Sequence, residues 1–193
     1  MSETTVTRRP WWRRKSLMIP LCLFLVVGAA YVSVRVHWRT THKFFVVHDG
    51  RLYRSAEIPH AELIEVCRDH GIRTVFDFRE QHPDENHVTA EAEALQRAGI
   101  RHVHLPSGQV PPLENVDAFL EMMDDPATHP ALIHCTHGNG RTGVYAAIYR
   151  REYQGWSDER SRLEARLLGG LTSFGPNNNK GAFLIDYVPR AER

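Results

Sequence analysis

Cys135 and Arg141, six positions apart, are the residues of this chain best suited to chemistry on a phosphate group. They lie in His134-Cys135-Thr136-His137-Gly138-Asn139-Gly140-Arg141-Thr142-Gly143, which combines a thiol, a glycine-rich turn and a guanidinium. Upstream, Pro130-Ala131-Leu132-Ile133 is a short apolar run suited to a buried strand, and downstream Val144-Tyr145-Ala146-Ala147-Ile148-Tyr149 reads as an apolar helix face. The run between them is a strand–loop–helix junction. The first N–H groups of a helix have no intrahelical acceptor, so at such a junction they converge on an anion, helped by the helix dipole. The expected cradle is Thr136, His137, Gly138, Asn139, Gly140 and Arg141, with Gly138 and Gly140 letting the loop curl where a Cβ would block it. The same field favours thiolate over thiol at Cys135 and so makes it a nucleophile. Arg141 offers a planar fork of donors for two phosphoryl oxygens. Thr142 is placed to donate its hydroxyl to the sulfur, and His134 to orient the loop from behind as a satisfied core histidine.

These ten residues resemble the signature of the protein tyrosine phosphatase superfamily, in particular its small bacterial and atypical dual-specificity branch. Gly50-Arg51-Leu52-Tyr53-Arg54-Ser55, Gly71-Ile72-Arg73-Thr74-Val75-Phe76-Asp77-Phe78-Arg79 and Gly99-Ile100-Arg101-His102-Val103-His104-Leu105-Pro106 fit the same branch, so the resemblance runs over about residues 44–170. It implies a phosphocysteine mechanism with no metal and no cofactor, in which Cys135, Arg141 and Thr142 carry catalysis and residues 136–141 hold the phosphoryl group. It also implies a general acid, usually an aspartate, on a loop before the cysteine. The matching loop, Pro106-Ser107-Gly108-Gln109-Val110-Pro111-Pro112-Leu113-Glu114, has no aspartate. Glu114 is its nearest carboxyl group, either as the acid or as a first-turn residue complementing a helix dipole. Asp117, Asp84 and Glu85 are weaker candidates.

The elements that must position these groups alternate along the chain. Strand patterns fall at 44–47, 52–54, 74–78, 102–105 and 131–134, and helical patterns at 60–69, 88–98, 113–124, 143–153 and 158–168. This predicts an α/β fold with a mostly parallel central sheet flanked by helices, with Cys135 at the carboxyl end of a strand. Residues 169–180 read as loop, followed by an apolar segment at 182–188 with no assigned function.

These elements are preceded by a segment of different character. Residues 17–34 carry no charge and span about 27 Å as a helix, long enough for a thin bilayer. The 1–16 flank holds Arg8, Arg9, Arg13, Arg14 and Lys15 with Trp11 and Trp12, against Arg35, Arg39 and Lys43 on the other side. That asymmetry predicts one transmembrane helix at 17–34, a linker at 35–43, and a phosphatase domain at 44–193 outside the cytoplasm. A cleavable signal peptide ending near Val27-Gly28-Ala29-Ala30 is the competing reading.

Residues 44–193 carry 16 Lys and Arg against 22 Asp and Glu, which argues against nucleic acid as a partner. Three cysteines give no disulfide framework; Cys22 lies in the apolar run, and Cys67 shares a helix face with Leu63 as core packing. His37, His42, His48, His60, His82 and His87 show no metal-ligand spacing. The expected function is a membrane-tethered phosphatase acting on phosphomonoesters of the phosphotyrosine or dual-specificity type. Thr136, His137 and Asn139 bring no lysine to the loop, which favours a singly phosphorylated ligand over a polyphosphorylated one. The alternative is a catalytically weak phosphate-binding pseudophosphatase. A sulfur transferase or arsenate reductase fits less well, because Cys135 is mid-chain and its loop is longer than a rhodanese loop.

Overall fold

In the computed structural model, the segments with strand patterns form five strands: β1 (Phe45–His48), β2 (Leu52–Ser55), β3 (Thr74–Asp77), β4 (Arg101–His104) and β5 (Ala131–His134). They lie in the order β1-β2-β5-β3-β4. Asp49 and Gly50 turn β1 back onto β2, with Gly50 at φ 66°. That pair is antiparallel, while β2–β5, β5–β3 and β3–β4 are parallel. The sheet is mostly parallel, as expected, and mixed only through its antiparallel edge strand β1; β5 lies at its centre, delivering Cys135 from a strand held on both sides.

The structure describes residues 20, 22–33, 42–82, 85–170 and 172–193. The chain divides into two units, Met1–Thr40 and Thr41–Arg193. In the first, residues 22–33 are helical, with Leu23, Phe24 and Val26 exposed. Among the described residues no helix is long and apolar enough to cross a membrane. The expected 1–16 flank lies outside the described residues, as do parts of the expected 17–34 span and of the 35–43 linker.

Six helices accompany the sheet: α1 (His60–Asp69), α2 (His87–Arg97), α3 (Leu113–Asp124), α4 (Gly140–Gln154), α5 (Asp158–Gly169) and α6 (Asn179–Asp186). The strands and α1, α2, α3 and α5 fall within one residue of the sequence expectation. Helix α4 begins three residues before the apolar pattern that marked it, because the end of the glycine-rich loop is already helical. Helix α6 was not foreseen: Asn177-Asn178-Asn179 reads as a turn, yet the Asn178 side chain accepts from Lys180 N at 3.1 Å and starts a helix.

Alternation along the strands gives the sheet two apolar faces. Phe76, Ala131 and Ile133 join Val116, Phe119, Val144, Ile148, Ala165 and Leu184 in the main core on one side. On that side Tyr145 stacks on Phe78 with centroids 3.7 Å apart and meets Phe119 edge-on, fixing α4 to α3 and to the chain after β3.

A cluster of buried charges ties β3, β4, β5 and α2 together. Arg79 Nη2 donates to Asp77 Oδ2 at 2.7 Å and Glu91 Oε2 at 2.8 Å, and its Nη1 donates to Glu57. His134 Nε2 lies 2.8 Å from Glu91 Oε1, and His102 Nε2 lies 3.5 Å from the same oxygen. Burial works against every charge here. For Asp77, the polar contact of His102 and the charges of His134 and Arg79 outweigh it and hold the carboxyl well below its usual range. For Glu91, burial is likewise overcome, first by His134, and the pKa falls to about 2. Burial lowers His102, but Asp77 and Glu91 reverse this and raise it to about 9.

A histidine that gains proton affinity on folding stabilises the fold below its unfolded value, and that contribution is lost as the pH rises through its folded value, here about 9. The depressed carboxylates act in the opposite sense, stabilising at neutral pH and losing this as the pH falls into the acid range. The free energy of unfolding in urea is therefore expected to fall between about pH 6.5 and 9, by on the order of 3 kcal/mol for His102 alone. His102→Gln should start less stable and show a shallower fall over that range; an identical pH slope in both proteins would contradict the assignment.

Candidate active site

Cys135 follows β5 directly and is 2% exposed, with its Sγ accepting from Thr142 Oγ1 at 3.1 Å. The contact expected of Thr142 is thus present. Arg141 Nη1 donates to Phe78 O at 3.0 Å, which fixes one end of its guanidinium. Asn139 precedes α4 but makes no side-chain cap, and Gly143 N is the amide bonded to Asn139 O, at 2.8 Å. The amides at the start of α4 are left without a side-chain acceptor, as an anion site requires.

The loop is shaped by close approach to β2. Gly138 has φ +64°, and a Cβ there would lie 2.5 Å from Ala56 N and 2.6 Å from Ser55 O. Only glycine meets both demands. Its carbonyl accepts from Arg54 Nη2 at 2.7 Å. Arg54 is 2% exposed, and burial pushes its guanidinium down to about 10, against the opposing pull of the Glu164 carboxylate. In the sequence Arg54 stands only within the run 50–55 that fits the family, and Leu52-Tyr53-Arg54-Ser55 carries no local signal that its cation is buried. Gly143 serves packing of another kind, since a Cβ there would lie 2.7 Å from Phe174 Cζ.

A cavity of about 220 Å³ opens above Cys135, lined also by Gln109, His137, Asn139, Gly140, Arg141, Gly169, Ser173 and Lys180. Of the expected cradle, His137, Asn139, Gly140 and Arg141 line it. Thr136 and Gly138 do not; Thr136 O accepts from Glu57 N at 3.2 Å, and Gly138 O is held by Arg54. The loop after β4 contributes Gln109 and is held by Ser107, whose Oγ lies 2.8 Å from Tyr145 OH. Lys180, which sequence reasoning left in an unassigned tail, reaches Gln109 Oε1 at 3.0 Å from the first turn of α6.

No carboxylate lines the cavity among the described residues. Glu114 is exposed in the first turn of α3, the dipole-complementing position foreseen as its alternative role. Asp117 faces Arg193 at 3.6 Å, Glu85 lies beside His87, and Asp84 lies outside the described residues. Cys67 is buried, and burial, aided by the charge of Glu91, pushes its thiol up to about 12, as suits core packing. Asp77, Glu91 and His134 are close enough to share a metal ion, but Arg79 already bridges the two carboxylates.

Residues 36–177 match the family model described as DSP-PTPase phosphatase fused to NAD+ kinase. The chain is 34% identical over 122 residues to the dual specificity protein phosphatase TpbA of Pseudomonas aeruginosa, covering 62% of this chain and 51% of that protein. It is 33% identical over 116 residues to the inositol diphosphatase DSP3 of Arabidopsis thaliana, covering 58% of this chain and 55% of that protein. The chain thus spans about half the length of these relatives. Among solved structures, P. aeruginosa TpbA matches with a TM-score of 0.59 at 25% identity, over 77% of this chain and 87% of that one. The catalytic core of SIW14 from S. cerevisiae matches with a TM-score of 0.62 at 24% identity, over 75% of this chain and 85% of that one, which shows a shared fold. With the family model spanning most of the chain and the thiol, the arginine and the threonine brought together at one helix N-terminus, the chain belongs to the DSP-PTPase phosphatase family.

Proposed function

We propose that this protein hydrolyses phosphomonoesters, of the phosphotyrosine or dual-specificity type, through a phosphocysteine on Cys135. The observation that carries the proposal is the Cys135 sulfur on the floor of the cavity, bonded by Thr142 and flanked by Arg141 at the uncapped start of α4. The sulfur attacks phosphorus as an S–P bond forms. The P–O bond to the leaving group breaks, and its electron pair departs with that oxygen, which takes a proton from water. Arg141 and the first amides of α4 hold the other phosphoryl oxygens as they spread. Water then attacks the phosphocysteine and the P–S bond breaks. Phosphate leaves, and the Thr142 hydroxyl steadies the departing sulfur anion.

Similarity to TpbA, a variant of which has been solved in complex with pTyr, supports a phosphotyrosine-type substrate. Similarity to a protein named inositol diphosphatase supports small phosphorylated molecules as well. One observation favours a second reading, a phosphate binder with weak turnover: no carboxylate among the described residues lines the cavity. We also propose that residues 17–34 anchor the chain in a membrane, with residues 44–193 on the extracytoplasmic side, on the strength of the basic and tryptophan-bearing 1–16 flank.

Three outcomes are expected. The full chain should hydrolyse aryl phosphates at least tenfold faster than alkyl phosphates, since proton donation by a side chain is worth about 10²–10⁴-fold and its absence weighs most on poor leaving groups. Cys135→Ser should abolish both; phosphate binding without turnover in the wild type would instead establish the weak binder. Arg54→Met should weaken inhibition by orthovanadate by about 10-fold or more while the circular dichroism spectrum is retained, because it leaves the buried Gly138 carbonyl unpaired. Unchanged inhibition would remove Arg54 from the account. For the anchor, protease added to intact cells should digest residues 44–193 of membrane-bound protein; protection of that segment would contradict the orientation.

A further inference from the structure

The reading of the Cys135 cavity as a phosphoryl site leaves one of its charges unused. A single phosphoryl group is matched by Arg141 and the first amides of α4. Lys180 adds a second cation to the same cavity, from a helix far from the loop in sequence. Its ammonium lies over the first residue of α4, within 3.8 Å of where a Cβ on Gly140 would stand. Its polar partner is the neutral Gln109 side chain, at 3.0 Å, and no carboxylate among the described residues pairs with it. Phe174 offers its ring at 5.8 Å, a cation–π contact at the edge of useful range.

Two features of α6 fix that position. Asn178 caps the helix by accepting from Lys180 N at 3.1 Å. Gly181 packs its backbone against Gly175, where a Cβ would come within 1.9 Å of Gly175 O, so the helix start is seated directly on the 172–176 turn. A lysine held in place yet paired only with an amide keeps its charge available to a ligand.

Resting on the phosphoryl-site reading above, we propose that Lys180 is a specificity-determining contact for a second phosphate, so that the site favours small molecules bearing two phosphates on neighbouring atoms. Arg141 and the α4 amides take the scissile group, and Lys180 takes its neighbour, giving up Gln109 to do so. The loop-only charge count that favoured a singly phosphorylated ligand omitted this residue, because the sequence does not show that α6 returns to the cavity.

The test uses the full chain and two probes, phenyl phosphate and catechol bisphosphate. Their affinities are measured by calorimetry in a Cys135→Ser background, where turnover plays no part. The bisphosphate should bind more tightly, and adding Lys180→Met should reduce the ratio of the two affinities about tenfold, with Lys180→Arg preserving it. A ratio within twofold of the parent in Lys180→Met would overturn the inference, as would an equal loss for both probes, which would assign Lys180 to the scissile phosphate. Binding of neither probe would defeat the phosphoryl-site reading, and the inference with it. In the active protein, the kcat/KM ratio for the two probes should move in parallel with the affinity ratio.

Discussion

The turn from β5 into α4 depends on Gly138 lying against the backbone of Ser55 and Ala56. At that point the chain needs a positive φ and has no space for a side chain, while Arg54 grips the carbonyl from below. With the loop pinned there, the sulfur at the end of β5 and the amides at the start of α4 face the same small volume. Arg141 and Thr142 follow in the first turn, so the clamp and the sulfur's donor need no further device to reach the site. The shape of the loop therefore rests on a backbone contact with a neighbouring strand as much as on the residues that line the cavity.

Below the sheet, the Asp77–Arg79–Glu91 cluster supports the same strand from the other face. His134, one residue before Cys135, is held against Glu91, and Arg79 links that helix residue to β3. Removing one member of such a cluster leaves a buried charge without its partner, at a cost of about 3–5 kcal/mol. The cluster thus fixes the strand end that carries Cys135, and the aromatic stack of Phe78 and Tyr145 fixes α4 opposite it.

Much of this was legible in the sequence wherever the information was local. The spacing of Cys135, Arg141 and Thr142 encodes a strand–loop–helix junction within ten residues, and the alternation of apolar runs gave the parallel strands and five of the six helices. What was missed depends on distant contacts. Lys180 meets Gln109 and Gly140 only because α6 folds back on α4, and a run of asparagines disguised the start of that helix. Glu91 reads as one of several acidic residues on an amphipathic helix, yet it is fully buried because His134 and Arg79 await it. Glu114 was open to two readings, and the structure places it in the one set by its local sequence, exposed in the first helical turn after Pro112.

The account stands on Cys135 forming a covalent bond to phosphorus. Acid-quenched protein, mixed for milliseconds with an aryl phosphate and digested for mass spectrometry, tests this directly. One phosphoryl group on the peptide containing Cys135, absent in Cys135→Ser and accumulating before steady state, is the result the account expects. Substrate turnover with an unmodified Cys135 peptide, or a phosphoryl group on another residue, would contradict it.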